Sequence, residues 1–418
     1  MSGRIFVYLL LSNFTQNHDR MWKEYFIRYF KPIALYAIVG TSISTLIVAF
    51  TLYIAVKMNL SGGFEPSLPE LLTFGALISA TDPVSTLAVF QEKCVCPQLF
   101  YLVFGESVLN DAVGLVLFNT LAKFVGQKNT LASSSEGLLL FLIDFVISFV
   151  GSMTLGLFSG VMAGFFLKLS DMRENRILEL SSYILVMYAP FFAAEVLPLS
   201  GIVTSLFTGI AAKQYAEQNL TPQTAEDADV IFRVISHLAE TSLFLELGLS
   251  VFGLAFENFH FLFILFAILG CLLGRLLNVY PITWLVNKSI QTEIAVNENE
   301  VNGGQYTLQN VRQQKIDMNT AHMLWFSGLR GAVAYACAKS FPDDLGNRAP
   351  FVITTMMIVL LTIFLLGSTT ECVLHILNIE MNMDENQHSN EEICQNQMSI
   401  VHKFGECYHM KKCFMHPH

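Results

Sequence analysis

The chain has 418 residues, of which 53% are hydrophobic and only 14% charged, with a net charge of −10. Ordinary globular domains carry about 25% charged residues, so a water-soluble fold is excluded. No basic stripe interleaved with aromatics appears, and no nucleic-acid partner is expected.

In chain order, the apolar residues fall in long runs rather than at a soluble helix or strand period. Residues 31–56 and 260–286 each exceed the roughly 20 apolar residues that cross a hydrocarbon core. Short alternating segments, the signature of a β-barrel, are missing. The reading is an all-α polytopic membrane protein of about ten spans, near 32–56, 70–90, 98–120, 138–168, 177–195, 199–213, 230–253, 260–286, 320–339 and 350–378. Residues 1–30 are read as a cytosolic N-terminal segment, 31–379 as the transmembrane domain and 380–418 as a polar cytosolic tail. Within the domain, 287–319 is expected to be a cytosolic loop. No cleavable leader is expected, because IFVYLLL (5–11) is too short and lacks a small-residue cleavage site. The eight cysteines do not read as a disulfide frame. Cys271, Cys337 and Cys372 lie in or beside apolar runs, where a thiol behaves as a small hydrophobe.

Orientation follows from Lys and Arg in short loops. With the N-terminus inside, 16 of the 24 basic residues fall on the inner side and 5 on the outer, which leaves Arg233, Arg275 and Arg330 within spans. Both ends are therefore placed in the cytosol. Asn59-Leu60-Ser61 is a glycosylation sequon on the outer face. The tail cluster CYHMKKCFMHPH (407–418) holds metal-binding residue types but lacks paired zinc spacing.

Polar groups inside the spans carry the functional argument, since charge at membrane depth is costly. In TFGALISATDPVSTLAVF (73–90), Pro83 removes a backbone donor and clashes with the preceding turn. Backbone broken at this depth must be buried in protein or line a wet cavity, and discontinuous helices of this kind build ion sites in secondary transporters. Asp82 sits at the break. The alternative is a simple proline kink that Asp82 caps.

FGESVLNDAVGLVL (104–117) carries Glu106, Asn110 and Asp111. At roughly 100° per residue, Glu106 and Asn110 share a face within about 40°, while Asp111 lies about 140° away from Glu106. The two acids thus have different neighbours and different jobs, one neutralised by an arginine and one free to titrate and bind a cation. The arginine chosen for Glu106 is Arg330 in WFSGLRGAVAYA (325–336), because a guanidinium in a span needs a permanent anionic partner. Glu240 and Glu246 in HLAETSLFLELGLSVF (237–252) are read as facing the pathway or as pairing with Arg275 or Arg233.

Taken in order, ISATDPVSTLAVF, FGESVLNDAVGLVLFNT, AETSLFLELGLSVF and SGLRGAVAYA resemble the eukaryotic sodium/proton exchangers, over about residues 30–378. The endomembrane branch is the nearest in pattern. The resemblance implies an inverted-repeat antiporter fold with two broken helices, those holding Asp82 and Arg330, crossing near the midplane. It implies a homodimer, with Asp111 as the carboxylate that binds Na+ or K+ or a proton. Asn110, Thr81 and Asp82 are its implied neighbours, Glu106 and Arg330 the structural pair, and Glu240 and Ser107 pathway residues. It also leaves the first three family spans unmatched, so the reading is of an N-terminally truncated form.

The expected activity is electroneutral exchange of Na+ or K+ for H+ by alternating access, regulating cytosolic or organellar pH. No cofactor and no enzymatic step are expected, and no Walker A motif is present. Two rival readings stand. One is a proton-coupled carrier of another solute, which would use Arg330 as a free cation. The other is a transport-inactive truncated exchanger that acts as a dimer partner. The expected location is a Golgi, endosomal or plasma membrane.

Overall fold

The computed structural model describes residues 29–126, 135–170, 172–253, 259–300, 315–379 and 381. Twelve helices carry these residues, with no strand among them. They are α1 (Tyr29–Lys57), α2 (Leu68–Ser79), α3 (Val84–Glu92), α4 (Pro97–Ala122), α5 (Ser135–Ser170), α6 (Arg176–Val196), α7 (Gly201–Tyr215), α8 (Pro222–Phe252), α9 (Phe261–Glu300), α10 (Met318–Phe326), α11 (Ala332–Lys339) and α12 (Arg348–Ile376). Six of them (α1, α4, α5, α6, α9 and α12) are long and apolar enough to cross a membrane. The ten predicted spans reappear as eight continuous helices and two broken ones, α2 with α3 and α10 with α11. The predicted loop 287–319 is partly helical, because α9 runs on to Glu300. The terminal segments 1–28 and 382–418, including the tail cluster, lie outside the described residues.

The described residues fall into two compact units, one within 20–137 and 247–382 and the other within 138–246. In the first, α4 is the central element, with little of its surface exposed. It starts on Pro97, whose missing N–H costs nothing at a first turn. Beside it, α1 shows two faces. Leu46, Phe50 and Ile54 are exposed, whereas Thr41, Ser44 and Thr45 are buried. Ser44 Oγ donates to the Gly274 carbonyl of α9 at 3.1 Å. Gly270 and Gly274 give α9 the small surface that lets it lie against α1.

The end of α2 obeys the sequence rule for proline. In a continued helix, the Pro83 ring would clash with the carbonyl four residues earlier, that of Ser79. The residue before proline, Asp82, is also disfavoured in helical conformation. The helix stops at Ser79, and α3 begins at Val84. At its other end, α2 opens with a capping box. The Ser67 N–H and hydroxyl both donate to Glu70 Oε2 at 2.8 Å, and Asn347 Nδ2 donates to both Glu70 oxygens.

In the other unit, α7 is the buried centre. Gly156, Gly160 and Gly164 of α5 face it at such close range that a methyl group at Gly156 would lie 2.4 Å from the Thr204 carbonyl oxygen. Most of the remaining surface of α5 is apolar and exposed, including Leu139, Ile143, Val146, Phe158 and Leu169. Hydrocarbon is the solvent that suits such a face. Glu179 of α6, buried, accepts from Thr221 N, Thr221 Oγ1 and Thr224 Oγ1 at 3.0, 2.8 and 2.6 Å. These bonds satisfy the opening of α8, where helix N–H groups have no partner of their own.

Candidate functional site

The two interruptions meet. Residues 80–83 separate α2 from α3, and residues 327–331 separate α10 from α11. The Asp82 N–H donates to the Leu329 carbonyl at 3.0 Å, a backbone bond between the two breaks. Arg330 is 1% exposed, and its Nη1 donates to the Ser79 carbonyl at 2.7 Å and the Ala80 carbonyl at 3.2 Å. These carbonyls close α2, where the helix dipole is negative and the last carbonyls lack intrahelical donors. The Arg330 N–H in turn donates to Thr362 Oγ1 of α12 at 3.2 Å.

Asp82 meets the complementary end. A Cβ at Gly331, the residue that precedes α11, would fall 2.0 Å from Asp82 Oδ2 and 2.2 Å from its Cβ. The carboxylate therefore packs on the positive N-terminus of α11, and glycine is required there by space rather than by backbone angle, since its φ is −107°. The crossing is balanced in charge, with a guanidinium on one helix C-terminus and a carboxylate on one helix N-terminus.

Against this crossing lies α4. Asn110, 2% exposed, donates from Nδ2 to Thr81 Oγ1 at 3.0 Å and to the Ser79 carbonyl at 3.5 Å. Its Oδ1 accepts from the Thr41 hydroxyl of α1 at 2.6 Å. Ser107 Oγ donates to the Thr81 carbonyl at 3.0 Å. Asp111 Oδ1 is buried and has no hydrogen-bond partner. Asp82 is the neighbouring charge that acts on Asp111. Asn110, Asp111, Thr81, Asp82 and Ser107 thus come together in one unit, and Asp111 brings to it an oxygen that no protein donor satisfies.

The predicted pair of Glu106 with Arg330 is corrected. Glu106 pairs with Arg275 of α9 in a two-pronged salt bridge, Nη1 to Oε1 and Nη2 to Oε2, the latter at 2.8 Å. The same Nη2 also donates to the Leu324 carbonyl at 2.8 Å. Arg330 does not need an acid, because two carbonyls at the end of a helix provide the negative field that a second carboxylate would have supplied. Glu240, half-buried on α8, belongs to the other unit.

Three contributors escaped the sequence reading, namely Thr41, the Ser79 carbonyl and Arg275 as partner of Glu106. Arg275 had a signal, a lone guanidinium in a span. Thr41 gave none beyond a polar residue among apolar ones, and a backbone carbonyl gives no sequence signal.

The model of the family described as sodium/hydrogen exchanger, transmembrane, matches residues 20–375. The chain is 35% identical over 366 residues to sodium/hydrogen exchanger 8 of Homo sapiens, covering 86% of this chain and 58% of that one. To sodium/hydrogen exchanger 9 of Rattus norvegicus it is 33% identical over 374 residues, covering 88% and 54%. An uncharacterized Na(+)/H(+) antiporter of Schizosaccharomyces pombe is 33% identical over 368 residues, with 88% and 61% covered. This chain therefore spans less than two thirds of the length of these relatives. Among solved structures, the sodium proton antiporter MjNhaP1 of Methanocaldococcus jannaschii superposes with a TM-score of 0.63 at 17% identity, over 90% of this chain and 85% of that one. That likeness concerns the fold.

Proposed function

This chain belongs to the sodium/hydrogen exchanger family, and from that premise we propose that it exchanges Na+ or K+ for H+ across a membrane, electroneutrally, at Asp111. The observation that carries this reading is the distribution of compensation among the buried charges. Glu106 is matched by Arg275. Arg330 is matched by the carbonyls of Ser79 and Ala80, and Asp82 lies on the N-terminus of α11. Asp111 Oδ1 is left without a donor. A buried carboxylate in that condition is stabilised by a proton or by a cation, and the one excludes the other.

One titrating acid that takes either ligand moves one charge each way per cycle, so the exchange is neutral. Asn110, Thr81 and Ser107 hold the broken backbone in place around it, and oxygen atoms are the ligands that Na+ and K+ prefer. Alternating access at such broken-helix crossings proceeds by largely rigid movement around the site. The carrier reading, in which Arg330 would be a free cation, is disfavoured because its Nη1 is already held by two carbonyls at the end of α2. A homodimer, cytosolic termini and an endomembrane location belong to the same proposal. They rest on the resemblance, and for the termini on the Lys and Arg distribution.

The test is a pH-sensitive dye inside proteoliposomes that hold this chain. Na+ or K+ gradients should drive proton movement insensitive to membrane potential, and Asp111→Asn should abolish it. Potential-sensitive movement would overturn the neutral stoichiometry. No movement at all would favour the transport-inactive partner.

A further inference from the structure

We propose that Thr41 is a positioning residue of the Asp111 cluster, which holds the Asn110 carboxamide in one orientation and thereby sets the apparent affinity for the cation. This rests on the reading of Asp111 as the exchanging carboxylate.

The orientation of the amide is dictated by its neighbours. The Ser79 carbonyl, 3.5 Å from one end of the amide, can only accept, so that end is the nitrogen. The oxygen then faces α1, where Thr41 supplies the donor at 2.6 Å. Thr41 is 1% exposed, so water does not readily replace it. Its hydroxyl also lies 2.5 Å from the Ala37 carbonyl, so its one proton is shared between that carbonyl and Asn110 Oδ1.

The backbone before Thr41 is built to aim it. Residues Tyr36–Gly40 form a π-helical stretch that ends immediately before Thr41. Such stretches insert an extra residue into the turn and rotate the next side chains about the helix axis, and they recur at functional sites. Two contacts to α9 anchor this one. The Tyr36 hydroxyl shares a hydrogen bond with Thr283 Oγ1 at 2.7 Å. Gly40 packs so closely on Asn278 that an added Cβ would lie 2.0 Å from Asn278 Oδ1. One turn after Thr41, Thr45 Oγ1 reaches Ser79 Oγ at 3.2 Å. The same face of α1 therefore braces both the amide and the end of α2 whose carbonyls receive Arg330.

Without the Thr41 donor, Oδ1 would be a buried acceptor with nothing to bond. The amide could regain a partner only by turning, which would set its oxygen against the Ser79 carbonyl and change Thr81 Oγ1 from acceptor to donor. The oxygens that a cation meets beside Asp111 would change, while the helices would not.

The experiment uses the purified full chain in detergent at pH 8, with Na+-dependent thermal stabilisation titrated against choline. Thr41→Val, which keeps the shape and removes the hydroxyl, should raise the half-saturating Na+ concentration about three- to tenfold. Its melting in choline should fall only modestly, as the loss of one buried hydrogen bond requires, and Thr41→Ser should restore both the melting and the original affinity. A Thr41→Val variant with wild-type half-saturation overturns the proposal. So does one that only melts earlier in choline. If instead Asp111→Asn keeps the Na+-dependent shift, or the wild type shows none, the reading of Asp111 itself fails.

Discussion

A double-mutant cycle on Glu106 separates the observed ion pair from the one expected from sequence. Arg275 gives Glu106 two charge-assisted hydrogen bonds, and the two side chains are 5% and 2% exposed. Removal of one partner strands a buried charge, at a cost of about 3–5 kcal/mol. Glu106→Gln and Arg275→Met should each destabilise by that amount. The double variant should lose far less than the sum of the two, a coupling of at least about 2 kcal/mol. Arg330, by contrast, directs its Nη1 to Ser79 and Ala80 and meets Glu106 only as a nearby charge, so the Glu106/Arg330 cycle should give the smaller coupling of the two. The assay is reversible unfolding of the purified chain in mixed micelles, monitored by helix content. Additive losses for Glu106 with Arg275, or a larger coupling with Arg330 than with Arg275, would refute the assignment.

Other consequences are as direct. Asp111→Asn should end cation-driven proton movement without lowering the melting temperature, because the site already holds an oxygen with no donor; a large loss of stability would contradict this. Gly331→Ala puts a methyl group 2.0 Å from Asp82 Oδ2. It should cost about 1–3 kcal/mol through overpacking, read in the same unfolding assay, and should slow exchange in proteoliposomes. Glu179→Ala removes an acceptor of three bonds at the start of α8 and should lower stability by about 1–3 kcal/mol. Glu179→Gln, which retains one acceptor oxygen, should fall between it and the wild type in thermal melting.

The features legible in the sequence were those set by local covalent rules. Pro83 dictates a break a few residues upstream whatever surrounds it, and α2 ends at Ser79. Runs of apolar residues located the six helices that are long and apolar enough to cross a membrane, because length and hydropathy alone decide them. The partner of Glu106 was a different kind of question. Helical angles give the direction in which Glu106 points from α4, but not which helix lies there. Arg275 is 169 positions away. The sequence reading also assumed that every buried guanidinium needs a carboxylate. It left out the backbone, whose exposed carbonyls at a helix end are as good an anion for Arg330. The extension of α9 to Glu300 was missed for a simpler reason, since a polar helix beyond the bilayer has no hydrophobic run to mark it.

The link between Arg330 and Ser79 spans 251 positions, and this has a consequence for how the chain is made. Ribosomes add about 5–20 residues per second, so the end of α2 waits on the order of tens of seconds before its guanidinium is synthesised. During that interval two carbonyls at membrane depth have no Arg330 to donate to them, a condition that lipid penalises by several kcal/mol each. Nascent α2 must therefore linger beside water, the translocon or a membrane chaperone until α10 and α11 arrive. Chains arrested before residue 330 should be recognised and degraded as unfinished, while arrest a few dozen residues later should let them persist.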